Sequence, residues 1–167
     1  MALIGLPGAG KSTVGRILAA RLGWPFHDLD AGIEAAAGRT VAEIFEHEGE
    51  TGFRQRESRM LSEIDGEGTV VACGGGVVVE PGNRALLKER FITAWLEVEP
   101  AEAARRLAHG AESRPLLRDG TVAGRLQALL REREFWYREV SSLALRTDGL
   151  DPETLVKPLF SILHVVP

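Results

Sequence analysis

The run Gly5-Leu6-Pro7-Gly8-Ala9-Gly10-Lys11-Ser12-Thr13 is the part of this chain whose residue types and spacing most directly imply chemistry. It fits the pattern G-x-x-x-x-G-K-[ST], in which glycines let successive backbone N–H groups turn inward around a phosphate. A lysine at position 11 reaches the outer phosphates as a point charge, and the Ser12 hydroxyl is placed to ligate Mg²⁺. A short apolar run over 2–4 precedes the loop and a helical pattern over 11–22 follows it, so the phosphates would sit at a helix N-terminus. Gly8, Ala9, Gly10, Lys11, Ser12 and Thr13 are therefore expected to hold a nucleoside triphosphate.

Two further constellations face the same chemistry. Asp28-Leu29-Asp30 ends an apolar run, and strand alternation puts both carboxylates on one side, at the carboxyl edge where α/β sheets bind ligands. Asp28 is expected to hold Mg²⁺ through water. Asp30 either accepts hydrogen bonds from a substrate or caps the helix that follows. Val70-Val71-Ala72-Cys73-Gly74-Gly75-Gly76 reads as a buried strand running into bare backbone that a substrate can touch. No acidic residue ends that strand to hold a metal, and Cys73 reads as an inert strand thiol.

Three arginines are candidates for anions. Arg54 stands at the front of a helix, where a cation does nothing for the helix dipole. Arg133 lies in Arg131-Glu132-Arg133-Glu134, which by itself reads as a solvated helix face, although a guanidinium is the natural bidentate partner of a carboxylate. Arg114 lies in the aperiodic stretch 110–120, bracketed by Gly110 and Gly120. That stretch reads as a mobile lid, whose arginine either closes over a transferring phosphate or stays in solvent.

The elements that must position these groups alternate between short apolar runs and helical patterns. Strands are expected over 2–4, 25–28, 69–73, 91–98 and 143–146. Helices are expected over 11–22, 31–37, 41–47, 51–64, 81–89, 101–109, 121–140 and 151–163. This order argues for an α/β domain, a parallel sheet covered by helices. A length of 167 residues fits a single domain with a sizeable core. A net charge of −4 argues against nucleic acid as a partner. Nothing in the chain has the length and apolarity of a membrane span, and no basic segment opens a signal peptide. The lone cysteine excludes an internal disulfide and fits a cytoplasmic setting. His27, His47, His109 and His164 are scattered without metal-ligand spacing, and Trp24, Trp95 and Trp136 read as core packing.

Taken together, the segments closely resemble shikimate kinase. The matching pieces are the phosphate loop, Asp28-Leu29-Asp30, Gly38-Arg39-Thr40-Val41-Ala42-Glu43-Ile44-Phe45 through Gly49-Glu50-Thr51-Gly52-Phe53-Arg54, Gly74-Gly75-Gly76, Arg114-Pro115-Leu116-Leu117, and Arg133 with Tyr137-Arg138. The phosphate loop is shared by many families, whereas the segment from Gly38 to Arg54 and the Arg-Pro-Leu-Leu run are far more specific.

The resemblance implies a P-loop kinase three-layer sandwich with a five-stranded parallel sheet of order 2-3-1-4-5. It also implies a substrate-binding helical segment near 30–60 and a lid near 110–120. The implied reaction is transfer of the ATP γ-phosphate to the 3-hydroxyl of shikimate, with Mg²⁺, by a cytoplasmic monomer. Carried over by position, Asp30, Arg54, Gly75, Gly76 and Arg133 hold shikimate. Lys11 and Arg114 contact the phosphates, and Ser12 and Asp28 place the metal. Lys11, Asp30 and Arg114 are thereby the expected catalytic set. Relatives often carry an arginine beside the adenine in the loop before the last helix, where this chain has Leu150. That leaves Arg106 as an adenine-stacking residue or as a surface helix arginine.

Rival readings share parts of this description. Gluconate kinase also joins a phosphate loop to arginines for a carboxylate. A guanine-specific switch would need an Asn-Lys-x-Asp motif, but the only asparagine, Asn83, is followed by Arg84. A silent ATP-binding module would have no use for Lys11, Asp30 and Arg114 together.

Overall fold

Each strand is followed by a helix too long to turn straight back, so the strands line up in parallel through crossovers rather than as hairpins. The computed structural model describes residues 1–108 and 121–165. Its strands are β1 (Ala2–Ile4), β2 (Phe26–Asp28), β3 (Val70–Ala72), β4 (Thr93–Glu97) and β5 (Leu143–Arg146). All pair in parallel, in the order β2-β3-β1-β4-β5. The five-stranded order expected above is the order found.

Alternation along the strands builds two cores. Leu3, Val70, Ala94 and Leu96 face one side of the sheet, while Ala2, Ile4, Val71 and Trp95 face the other. Helices α1 (Lys11–Leu22), α5 (Pro100–Arg106) and α7 (Pro152–Val165) cover the first side through Val14, Leu18, Ala103 and Val156. Helix α4 (Pro81–Arg90) and the end of α3 (Val41–Glu63) cover the second through Leu87 and Leu61. Helix α6 (Val122–Val140) begins against the first core with Leu126 and ends in the second with Tyr137 and Val140. A smaller cluster of Ile33, Ile44 and Phe53 joins α2 (Leu29–Ala37) to α3. No described helix is long and apolar enough to cross a membrane.

Helix boundaries follow local chemistry. Thr40 and Glu43 form a capping box at the start of α3, the Thr40 N–H donating to Glu43 Oε2 at 2.7 Å. Proline opens both α4 and α5, where its missing N–H costs nothing.

Most element ends fall within a few residues of expectation, and one place differs in kind. The expected helices over 41–47 and 51–64 are both present and meet across Gly49, whose φ of 70° and ψ of −178° break the helix between them. Just beyond the break, Arg56 reaches back to Glu48 with two hydrogen bonds of 2.9 Å. The difference in kind is at Asp28-Leu29-Asp30, where β2 ends at Asp28 and α2 begins at Leu29. The alternation argument therefore does not place Asp30, which sits in the first turn of a helix. The cap is Asp28, whose Oδ1 accepts from the Ala31 N–H at 3.4 Å. The expected lid over 110–120, with Arg114, lies outside the described residues.

Candidate active site

The loop between β1 and α1 is built for an anion by its backbone. Gly10 holds the N-cap position with φ 91°, a conformation that L side chains rarely adopt. No side chain caps α1 and no acidic residue lies in its first turn, so the first-turn N–H groups remain for a phosphate. Lys11 Nζ donates to the carbonyls of Gly5 and Leu6, each at 2.9 Å, which keeps the ammonium against the same loop.

Ser12 Oγ donates to Asp28 Oδ2 at 2.6 Å, so the expected metal pair is in direct contact. With its proton committed to Asp28, the hydroxyl presents its lone pairs elsewhere. Among the described residues no group of three or more His, Cys, Asp or Glu converges as a metal cage. This donor set suits Mg²⁺, which keeps most of its waters and takes few protein ligands alongside substrate phosphates.

On the outer side of the loop lies a cleft of about 410 Å³ bordered by Ala9, Thr13, Arg106, Leu150 and Pro152. Arg106 donates to Thr147 O at 2.7 Å, to Thr147 Oγ1 at 3.0 Å and to Gly8 O at 3.4 Å. Glu102 Oε1 accepts from its Nε at 2.8 Å. Arg106 is thus no free surface arginine. It bridges the phosphate loop to the loop after β5, on the wall of that cleft. Arg105 and Arg106 draw the Glu102 carboxyl down to about 2 through hydrogen bonds to its ionised form.

The opposite end of the site is made of buried charge. Arg54 and Arg133 are only 5% and 3% exposed, and Glu57 is fully buried. Arg54 NH1 donates to Glu57 Oε2 at 2.7 Å, while its NH2 donates to Glu50 Oε1 at 3.1 Å. Arg133 NH1 donates to Gly75 O at 3.2 Å, and the Tyr137 hydroxyl donates to the same carbonyl. Burial pushes the Tyr137 phenol well up, so it stays a neutral donor. Burial also raises the Glu57 carboxyl, against the opposing pull of Arg54. Two buried polar atoms, Glu57 Oε1 and Arg133 Nε, have no hydrogen-bond partner. Atoms of this kind normally carry a ligand or water contact.

Glycines let these groups close on the backbone. A Cβ on Gly76 would lie 2.0 Å from Arg54 NH2, and one on Gly74 would lie 2.4 Å from Glu57 Oε1 and 2.9 Å from Asp30 Oδ1. Asp30 therefore reaches the triple-glycine turn from α2 despite its unexpected position in a helix. Gly75 also touches the phosphate loop, since a Cβ there would meet Pro7 Cδ at 2.8 Å. Two anion-binding ends thus meet at Pro7 and Gly75.

Expected residues from five separate segments converge here, Arg114 alone lying outside the described residues. Glu57 is the member that sequence reasoning missed. Phe53, Glu57 and Leu61 are all buried and recur at every fourth position, so Glu57 stands in an apolar stripe, which was the available signal. Cys73 is buried with its thiol pushed up by desolvation, as an inert strand thiol should be.

Comparison with known proteins adds an independent line. The family model described as "Shikimate kinase" matches residues 7–164. A shikimate kinase of Ralstonia nicotianae is 47% identical over 163 residues, spanning 97% of this chain and 85% of that one. A shikimate kinase of Symbiobacterium thermophilum is 43% identical over 164 residues, spanning 97% and 94%. The solved structure of a shikimate kinase from Acinetobacter baumannii in complex with shikimate superposes with a TM-score of 0.93 at 36% identity, covering 99% of this chain and 94% of that one. With its phosphate loop, its buried arginine pair and its sheet order all in place, this chain belongs to the shikimate kinase family.

Proposed function

We infer that this kinase transfers the γ-phosphoryl group of ATP to the 3-hydroxyl of shikimate. The products are shikimate 3-phosphate and ADP, a step toward chorismate and the aromatic amino acids. The observation that carries the reading is the pair of buried guanidiniums, Arg54 and Arg133, at a glycine turn that abuts the phosphate loop. Two forked cations out of water select a carboxylate by geometry as well as by charge.

In this reading Arg54 and Arg133 hold the shikimate carboxylate, with Gly75 and Gly76 offering backbone beneath it. Asp30 accepts from the acceptor hydroxyl, aims its oxygen at the γ-phosphorus and takes its proton late in transfer. Phosphoryl transfer relies on such positioning and on charge stabilisation rather than on covalent chemistry by the protein. Gly8, Ala9, Gly10, Lys11, Ser12 and Thr13 hold the phosphates, and Arg106 borders the adenine. Ser12 and, through water, Asp28 would hold the Mg²⁺ that accompanies ATP and neutralises its phosphate charge. Arg114 is assigned to the transferring phosphate by position in the family's pattern. We also assign the chain to a single domain over 1–167, with an acceptor-binding segment near 30–60 and a lid near 110–120, acting as a monomer in the cytoplasm.

ADP release with Mg-ATP, measured across shikimate, gluconate, AMP and no acceptor, tests the assignment. Shikimate alone is expected to stimulate it. Turnover with gluconate or AMP and none with shikimate would overturn it.

A further inference from the structure

The backbone that follows the triple-glycine turn is suspended from the first turn of α4. Val77 N–H bonds to Gly74 O at 3.1 Å and Val79 N–H to Gly76 O at 3.0 Å, so residues 74–79 form two linked turns. Their next three carbonyls are taken by side chains. Asn83 Nδ2 donates to Val77 O at 3.0 Å, and Arg84 NH1 donates to Val78 O at 2.7 Å and Val79 O at 2.9 Å.

Arg84 does more than hold the turn. Its Nε lies 3.3 Å from Glu139 Oε2, and its guanidinium carbon stands 5.1 Å from the Trp136 ring centroid. Both partners are on α6, the helix that carries Arg133 and Tyr137. One planar fork therefore spans the turn and the helix whose side chains grip Gly75 O from the other side. The Arg84 side chain is 17% exposed, so these contacts are largely shielded from water. A lysine could reach one of these partners but not satisfy two carbonyls, a carboxylate and a ring together.

We propose that Arg84 is a positioning residue for the acceptor, fixing the glycine turn and Arg133 in one register. Its contacts are to the turn and to α6, and it acts through the spacing of Gly75 and Gly76 against α6. The proposal rests on the reading of those glycines and Arg133 as the shikimate site. In the described contacts Arg84 reaches neither the phosphate loop nor α1, and the turn it fixes meets that loop only where Gly75 packs on Pro7, so the brace acts on the acceptor far more than on ATP.

Steady-state kinetics of Arg84→Met, Arg84→Lys and Glu139→Gln, with each substrate varied in turn and unfolding midpoints measured alongside, provide the test. Wild-type turnover with shikimate is the entry condition, and its absence would refute the acceptor assignment rather than the brace. Arg84→Met is expected to raise KM for shikimate by roughly ten- to fiftyfold and leave KM for ATP within about twofold, the scale of losing hydrogen bonds from a charged donor. Arg84→Lys should fall between wild type and Arg84→Met, and Glu139→Gln should shift shikimate KM in the same direction but less. If Arg84→Met does not fold, the other two variants read the same split. An unchanged shikimate KM, or a parallel rise in both KM values, would show that Arg84 only stabilises the fold.

Discussion

In the proposed function the two ends of the site solve the same problem, holding an anion, with different materials. At the phosphate end that reading relies mainly on backbone N–H groups and one lysine from a single unbroken run of chain. At the acceptor end they are side chains drawn from α2, α3 and α6, three of them charged and almost fully out of water. Backbone amides are oriented by the helix they begin, so that end costs little to organise. Buried ions are expensive to desolvate and hold only while each partner is in place. The acceptor end is therefore the half that selects its substrate and the half that is easier to damage.

Substitutions can separate the two halves. The largest effect is expected from Asp30→Asn, which keeps the size but loses the charge at the reacting hydroxyl. Turnover should fall by roughly 10²–10⁴, the usual range for a positioned base. Wild-type turnover would reduce Asp30 to a helix residue. Arg54→Lys should cost on the order of 2–5 kcal/mol in shikimate affinity by calorimetry, the scale of breaking a buried charged pair. Glu57 would lose its fork while the phosphate loop keeps its own contacts, so ATP affinity should stay near wild type, and a comparable loss in both would erase the distinction between the ends.

Paired glycine substitutions sharpen the contrast, because each end needs its glycine for a different reason. Gly76→Ala would drive a methyl group into the Arg54 guanidinium, whereas Gly10 has no atom within 4 Å of a built Cβ but holds φ at 91°. Overpacking at Gly76 should cost about 1–3 kcal/mol in shikimate affinity alone. Left-handed strain at Gly10 should cost about 1–2 kcal/mol, read in ATP affinity alone. Crossed effects would contradict the division.

The smallest effect is expected at Glu102, which holds Arg106 against the phosphate loop. Glu102→Gln should raise KM for ATP by roughly two- to fivefold, the scale of one partly exposed ion pair. Its carboxyl is held at about 2 instead of the ordinary 4.5. A folded-state value below the unfolded one adds stability above about 4.5 that disappears as pH falls toward 2. The variant's acid unfolding curve should therefore be flatter across that window, and an identical curve would remove the pair from the account.

The same contrast explains what could be read in the chain. Phosphate-loop chemistry is local, and the loop, its flanking strand and its helix stand where the spacing puts them. β1 and β5 also match residue for residue. Sheet order was not in the periodicity and came only with the family resemblance. Arg133 reads as solvated in its charged run, yet Leu126, Leu129, Arg133, Tyr137 and Val140 form one buried stripe of α6. Spacing of three and four residues from apolar neighbours outweighs local charge there. Glu57 was hidden in the same way, among Arg54, Gln55 and Arg56. Asp30 does reach the triple-glycine turn, but not by the expected route, since a strand that stops at Asp28 leaves no alternation to extend. Capping by Asp28 ended the strand early, and that competition between pairing and capping is invisible to a period-two pattern.

The break in α3 has a mechanical consequence. Glu48 and Glu50 flank Gly49; Glu48 ties forward across it to Arg56, while Glu50 pairs with Arg54 on the far side of the break. The joint is thus a pivot spanned by one electrostatic stay, and its carboxylate is partly in water, with Glu48 28% exposed. At physiological salt the screening length is about 8 Å, and it shrinks to about 3 Å near 1 M. Ionic strength therefore sets the compliance of this pivot while leaving the apolar layers under the sheet untouched. Amide exchange around Gly49 should quicken with added salt while exchange in β1 and β3 stays constant. Uniform exchange at all salt concentrations would show that packing, and not charge, keeps the pivot stiff.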